Sequence, residues 1–518
     1  MNKLLKKFDL LTDKTDLSAL TISFALINFA FLYNTLNFLW GNHDVEFVKN
    51  GLRLSSGLFE GRFTQFIPHI LLTYGEILPI LNSLIGFFFL TLGLWLLAKY
   101  WQIPKSCLNY VLFITFFATL PYTLSWLYFT FITISCLLWV FFAVLGLYLS
   151  SFIAKSSHKI TLTLLSSLCF YLPLGGYPPI INTIAVCLMA KICFAHLFEN
   201  KNFTDIIKTY RHTVYALLIA VICTKLTLKL VNPQNVYNLE IMPFSEIPQK
   251  LISIIKISAK QFILSQPFME ISHKLITLML LLTATLGAIL KTKTLPQRIL
   301  TLAFIILTVL AAAATTFLVI PHTEYVSRID FYGVAFVYAF ALALLLKFKL
   351  PLAKSLALIF MIILLPLNLI NDYRAEKIWQ QGQIAEFQIL DNLMERIENH
   401  PNFNPKQKYH FRQLGDISMR PHYYKQNFAY NEPFLLALPY LAMWQGARLV
   451  EFYSPYHYID QTTPLLPSDI TPELHRFIID SARPWPNKNS VYVKDNTIIV
   501  IFSENELHEF RKMIANFN

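Results

Sequence analysis

Apolar runs of about 17–25 residues alternate with short polar breaks along most of this chain, the length a helix needs to cross about 30 Å of hydrocarbon. A backbone surrounded by lipid must satisfy its own hydrogen bonds, so each run is expected to be a transmembrane α-helix. The pattern predicts about eleven spans, near residues 17–40, 77–98, 107–124, 129–152, 160–173, 177–196, 212–232, 274–290, 298–320, 331–347 and 353–371. The first run is too long for a cleavable signal peptide, lacks a small-residue cleavage site, and reads as a retained signal anchor. Near Asn371 the pattern changes. Residues 372–518 read as a soluble α/β domain of about 145 residues, long enough for a core of its own. Within it Arg374–His400 carries Ile378, Ile384, Phe387, Leu390 and Leu393 at roughly helical spacing. Glu432–Gln445 and Pro472–Ser481 read as further helices, and a last helix opens at Ser503. Ser490–Val493 and Thr497–Phe502 are β-rich runs flanking Lys494-Asp495-Asn496, a hairpin turn.

Composition strengthens the membrane reading: 55% of residues are hydrophobic and 14% charged, against about 25% charged in a soluble chain. Lys and Arg then give orientation. Lys3, Lys6, Lys7 and Lys14 precede the first span, and every second connection is basic: Lys99 and Lys105, Lys155 and Lys159, Lys201 to Arg211, Lys291 to Arg298, Lys347 to Lys354. The N-terminus is therefore expected in the cytoplasm. An odd number of spans places residues 372–518 outside, and residues 41–76 form the first outer loop. The net charge of +12 follows from the basic loops and calls for no nucleic-acid partner. The six cysteines all fall within expected spans. They suggest neither disulfides nor a zinc site, and cysteine in such helices packs as a small hydrophobe.

Three features could carry chemistry. Asp44 and Glu46 follow the first span in HDVEF at 43–47, and a carboxylate at the outer membrane face can accept a proton from an attacking sugar hydroxyl. Against this stands a helix N-cap for Asp44 and a solvated surface for Glu46. The second feature is cationic: Arg53 and Arg62 in the first outer loop, Arg328 in the loop 322–330, and Lys225 and Lys229 on one face of the seventh span. Such groups suit a phosphate leaving group. The alternatives are snorkelling for the two lysines and pairing of Arg328 with Glu324 or Asp330. The third is the loop 173–179, PLGGYPP, where Gly175 and Gly176 allow close backbone approach and Tyr171 and Tyr177 offer faces for sugars. A tight turn between two helices explains the same residues. In the tail, His410, His422, His457 and Asp460 are scattered and read as structural or solvated.

On HDVEF, on EGRF at 60–63 with its Gly61-Arg62 pair, and on this layout of spans and tail, the chain resembles the GT-C class of glycosyltransferases. Within that class it resembles the bacterial type II glucosyltransferases that modify O-antigens of lipopolysaccharide. The resemblance implies a polytopic helical membrane enzyme in the bacterial inner membrane, with its C-terminal α/β domain in the periplasm. It implies a polyprenyl-phosphate sugar as donor, made by a separate synthase and turned over by a flippase, and an acceptor glycan or glycoconjugate. Asp44 becomes the leading catalytic carboxylate, Glu46 its acidic partner and Arg62 a nearby conformational or substrate contact; the cationic residues read above put Arg62, Arg328, Lys225 and Arg53 at the donor phosphate. Tyr177, His322 and Glu324 become a substrate loop. No cofactor is specified, and a divalent cation stays open. This sequence lacks the doubled Asp that such enzymes often carry. The competing reading is a transporter, flippase or polymerase of lipid-linked saccharides, although no internal repeat supports transport.

Overall fold

The computed structural model describes residues 13–37, 39, 41, 44, 47, 51–58, 61–231, 245, 247–259, 262, 269–317, 327–415, 459–466 and 469–515. The chain divides into two compact units, Met1–Phe38 with Leu52–Arg374, and Leu39–Gly51 with Ala375–Asn518.

The first unit is a helical bundle. Among the described residues eight helices are long and apolar enough to cross a membrane: Pro79–Tyr100, Thr130–Ser150, Lys159–Gly176, Pro178–Glu199, Phe203–Val231, Ile271–Lys291, Asp330–Lys347 and Pro351–Gln381. Cys107–Ala118 and Leu295–Ala311 are apolar but shorter. The run expected over 17–40 is two helices, Lys14–Ala30 and Leu32–Asn37, separated at Phe31. The runs at 107–124 and 298–320 likewise stop early, at Ala118 and Ala311, and continue as short turns. Large apolar side chains such as Leu218, Ile222, Leu282, Leu286 and Ile362 stay exposed on single helix faces, which suits a hydrocarbon solvent rather than water. Helix Pro79–Tyr100 meets Thr133–Ser150 through Gly93, where an added Cβ would stand 3.0 Å from the Phe141 backbone. Small residues at such crossings let helices approach closely.

Lysines gather at one end of this bundle. Asp13 caps the first helix by accepting from the Asp16 N–H at 2.9 Å. The fully buried Asp16 meets Lys99 at 3.3 Å and Lys105 at 3.2 Å and accepts from Trp95 Nε1 at 3.1 Å. Lys347 donates to the Trp101 and Gln102 carbonyls at 2.7 and 2.8 Å, and with Lys291 it flanks the Phe198 ring. Lys191 and Lys201 both pair with Glu199. Lys99, Lys105, Lys201, Lys291 and Lys347 of this cluster come from the basic connections read in the sequence.

The second unit holds a four-stranded sheet. The strands are β1 (Tyr409–Leu414), β2 (Ile459–Pro464), β3 (Val491–Lys494) and β4 (Thr497–Ile501), in the order β2-β1-β4-β3. β1 runs parallel to both neighbours, and β3 pairs antiparallel with β4. The expected three-residue turn is a two-residue one, because Lys494 already pairs with Thr497, and Asp495 takes a left-handed φ of 50°. Alternation builds a core on each face. Phe411, Val493, Ile498 and Val500 pack on Leu390, Leu393 and Ile397. Leu414, Ile499 and Ile501 pack on Leu474, Ile478, Leu507 and Phe510. The expected helix at 472–481 is Pro472–Arg476 followed by a π turn over Phe477–Ser481, and the last helix is Glu504–Ala515. The last expected span and the expected helix from Arg374 are one helix, Pro351–Glu398, since nothing between Asn371 and Arg374 breaks the backbone. The helix expected at 432–445, with His422 and His457, lies outside the described residues.

Candidate functional site

Asp44 is helical and fully buried. Its Oδ2 accepts from the Gly41 N–H at 2.7 Å, and its own N–H donates to the Gly41 carbonyl at 3.3 Å. A carboxylate that accepts from a backbone N–H three residues earlier satisfies that donor locally. The donor that its side chain satisfies is the Gly41 N–H. Glu46 lies outside the described residues.

In the first unit, the loop around Arg62 is fastened to the last turn of the helix Lys159–Gly176. Thr64 donates through its backbone to the Gly175 carbonyl at 3.1 Å and through its hydroxyl to the Leu172 carbonyl at 2.6 Å. The Arg62 guanidinium stands 5.2 Å from the centre of the Tyr177 ring, a favourable cation–π contact. Gly175 and Gly176 are needed for the approach: an added Cβ would stand 2.4 Å from the Phe63 ring at the first and 2.3 Å from Trp139 Nε1 at the second. The stretch read as the loop 173–179 is therefore mostly helix, running through Pro173 to Gly176 before Tyr177 turns extended. Behind Tyr177 lies an aromatic cluster, with Trp126 at 5.0 Å and Tyr332 at 5.7 Å between ring centres. Tyr332 is fixed by donating to the Cys136 carbonyl at 2.9 Å, while its own carbonyl accepts from the Thr183 hydroxyl at 2.8 Å.

His69, on the short helix Ile67–Thr73 beyond this clamp, is fully buried. Neither ring nitrogen makes a hydrogen bond within ordinary geometry. Burial pushes its pKa down to about 3, with the Ile132 carbonyl opposing only in part, so the ring stays neutral.

The remaining candidates are not all brought to this clamp. Arg53 is exposed. Lys225 is half-buried and Lys229 exposed on Phe203–Val231, and Tyr171 reaches this helix through a 2.9 Å hydrogen bond to Thr227. Arg328 falls on the helix Ser327–Tyr332, its side chain outside the description, and His322 and Glu324 lie outside the described residues. The sequence reading gave no chemical role to four fully buried acids, Asp16, Asp330, Asp372 and Glu376. The signal was present: Asp330 and Asp372 each sit at the edge of an apolar run, where an ionisable side chain is costly enough to imply a role. Among the described residues no three His, Cys, Asp or Glu side chains are grouped to hold a metal ion.

Apolar helices of spanning length, closed at one end by lysine pairs and at the other by a clamp of glycine, arginine and aromatic rings, define a multi-pass membrane protein. Residues 41–346, from the first loop through the span that ends at Lys347, match the family described as Glucosyl transferase GtrII. That stretch is more than half of the chain, which therefore belongs to this glucosyltransferase family and is a transferase. Among curated proteins none matches the chain.

Proposed function

We propose that the chain transfers a glucosyl unit from a polyprenyl-phosphate donor to an acceptor glycan, such as O-antigen, at the extracytoplasmic face of a bacterial inner membrane. The observation that carries this reading is the clamp that holds Arg62 on Tyr177 in a member of a glucosyltransferase family. A fixed guanidinium suits a phosphate that gains charge as it departs. The gathering of lysines at the opposite end of the bundle supports the orientation, because basic ends stay in the cytoplasm. By that rule the N-terminus is cytoplasmic, the clamp faces outward, and residues 372–518 form an extracytoplasmic domain.

In the reaction, Asp44 accepts the proton of the acceptor hydroxyl, whose oxygen attacks the anomeric carbon of the donor sugar. The bond from that carbon to the phosphate oxygen breaks, and polyprenyl phosphate leaves with both electrons. Arg62, with Arg328, Lys225 and Arg53, stabilises the departing phosphate. Glu46 supports Asp44, while Tyr177, His322 and Glu324 contact the sugar. The donor reaches this face through a separate synthase and flippase, and no nucleotide is used there. Mass spectrometry of surface glycans from cells with and without this chain tests the reading. A hexose substituent present only with the chain is expected; identical glycans in both would overturn it.

A further inference from the structure

The second unit carries a cleft of its own, on the sheet face that Pro472–Ser481 and Glu504–Ala515 only partly cover. Its volume is about 120 Å³, and its polar walls are Arg412 of β1, Asp469, Tyr492 and Lys494 of β3, Asp495 and Thr497 of β4. We propose that this cleft is a carbohydrate-binding subsite that holds a neutral sugar ring of the acceptor glycan; the acceptor assignment rests on the function proposed above.

Three observations converge. The charges are balanced, two cationic and two anionic side chains, so the walls favour an uncharged ligand rich in both donors and acceptors over a phosphate or nucleic acid. The polar groups are held in place rather than left to solvent. Arg412 and Asp469 form an ion pair in which both side chains are at most a quarter exposed. Asp469 also accepts from the Leu466 N–H at 2.8 Å. Thr471 accepts from the Leu474 N–H at 3.2 Å, and Lys494 reaches Glu473 at 3.5 Å. The third is Tyr492, half-buried and braced by Phe477 with ring centres 5.0 Å apart. Its phenol is raised by burial and then by Glu473 and Asp495, so it stays a neutral donor. An aromatic face beside fixed, charge-balanced hydrogen-bonding groups matches the alternating C–H and O–H faces of a pyranose.

The test uses the full-length protein in nanodiscs. The probes are polysaccharide released from the surface of cells lacking this chain, and methyl glucoside as a stand-in for the donor sugar. Saturation-transfer NMR should show wild-type protein saturating the polysaccharide protons, with methyl glucoside a poor competitor. Tyr492→Ala should lose that signal and raise the acceptor KM roughly five- to tenfold, leaving kcat and the donor KM unchanged. Tyr492→Phe, which keeps the ring, should restore most of the binding. Lys494→Met on the rim should weaken binding without disturbing the core, so a misfolded Tyr492→Ala would not hide the result. Polysaccharide binding unchanged in Tyr492→Ala and Lys494→Met would overturn the proposal, as would equal competition by methyl glucoside. Glycan binding by a wild-type protein that transfers no sugar would instead leave the subsite standing and remove the proposed reaction.

Discussion

At the scale of single residues, Arg62 and His69 give the sharpest tests of the clamp. Arg62→Met keeps the bulk beside Tyr177 and removes the charge. Since a charge-assisted contact is worth about 1.5–3 kcal/mol, polyprenyl-phosphate donor use should fall about ten- to a hundredfold with folding largely intact. Arg62→Lys should rescue only part of it, because an ammonium neither stacks on Tyr177 nor binds phosphate in two places. Wild-type turnover in Arg62→Met would show that the charge serves only the cation–π contact. His69 makes a pH prediction. Its folded pKa of about 3 lies below the unfolded value of about 6.5, so between them the unfolded chain binds the extra proton. The stabilising effect of a neutral His69 is complete above about pH 6.5 and falls by up to about 1.4 kcal/mol per pH unit toward pH 3. The stability of wild type relative to His69→Leu should therefore fall as pH drops from 7.5 to 5; a constant difference would mean that His69 has the same pKa folded and unfolded. Residue types were legible in the sequence here, since Arg62 and Tyr177 were both singled out. Their pairing was not, because it is made by Thr64 bonding to a distant helix end. Nor could composition reveal that His69 is buried, as only packing removes its water.

At the scale of elements, the close approach at Gly176 tests whether the clamp is tightly built. Gly176→Ala places a methyl 2.3 Å from Trp139 Nε1, and such overpacking costs about 1–3 kcal/mol. A lower melting temperature with a matching loss of transfer is expected; an unchanged melt would show that Trp139 swings aside easily. Most helices were readable because a hydrocarbon solvent demands one apolar length. Their ends were less so: Pro173 continues a helix, and the last span runs on to Glu398 without a breaker. β4 was readable because a central strand flanked on both faces is nearly all apolar, as in Thr497–Ile501. β2 was missed for the opposite reason. As an edge strand it is polar and ends in Pro464, which edge positions tolerate and central ones do not.

At the scale of the whole molecule, the proposal depends on which side of the membrane each end occupies and on which donor is consumed. On the proposed orientation, with a cytoplasmic N-terminus and an odd number of spans, a reporter active only in the cytoplasm and fused after Asn518 should be silent; a bright fusion would contradict the outward assignment of Arg62. Family membership was legible from one short acidic motif and one Gly-Arg pair, whereas the sheet cleft appears only when the chain is folded. The most direct measurement is transfer by the purified full-length protein supplied with acceptor glycan and either polyprenyl-phosphate glucose or a nucleotide sugar, comparing wild type with Asp44→Asn. Asparagine keeps the shape of Asp44 and can still accept from the Gly41 N–H, but it takes up no proton. Wild type should consume only the lipid-linked donor, with Asp44→Asn slower by at least the roughly hundredfold that a general base contributes. Equal rates for the two proteins, or transfer straight from the nucleotide sugar, would contradict the proposed reaction.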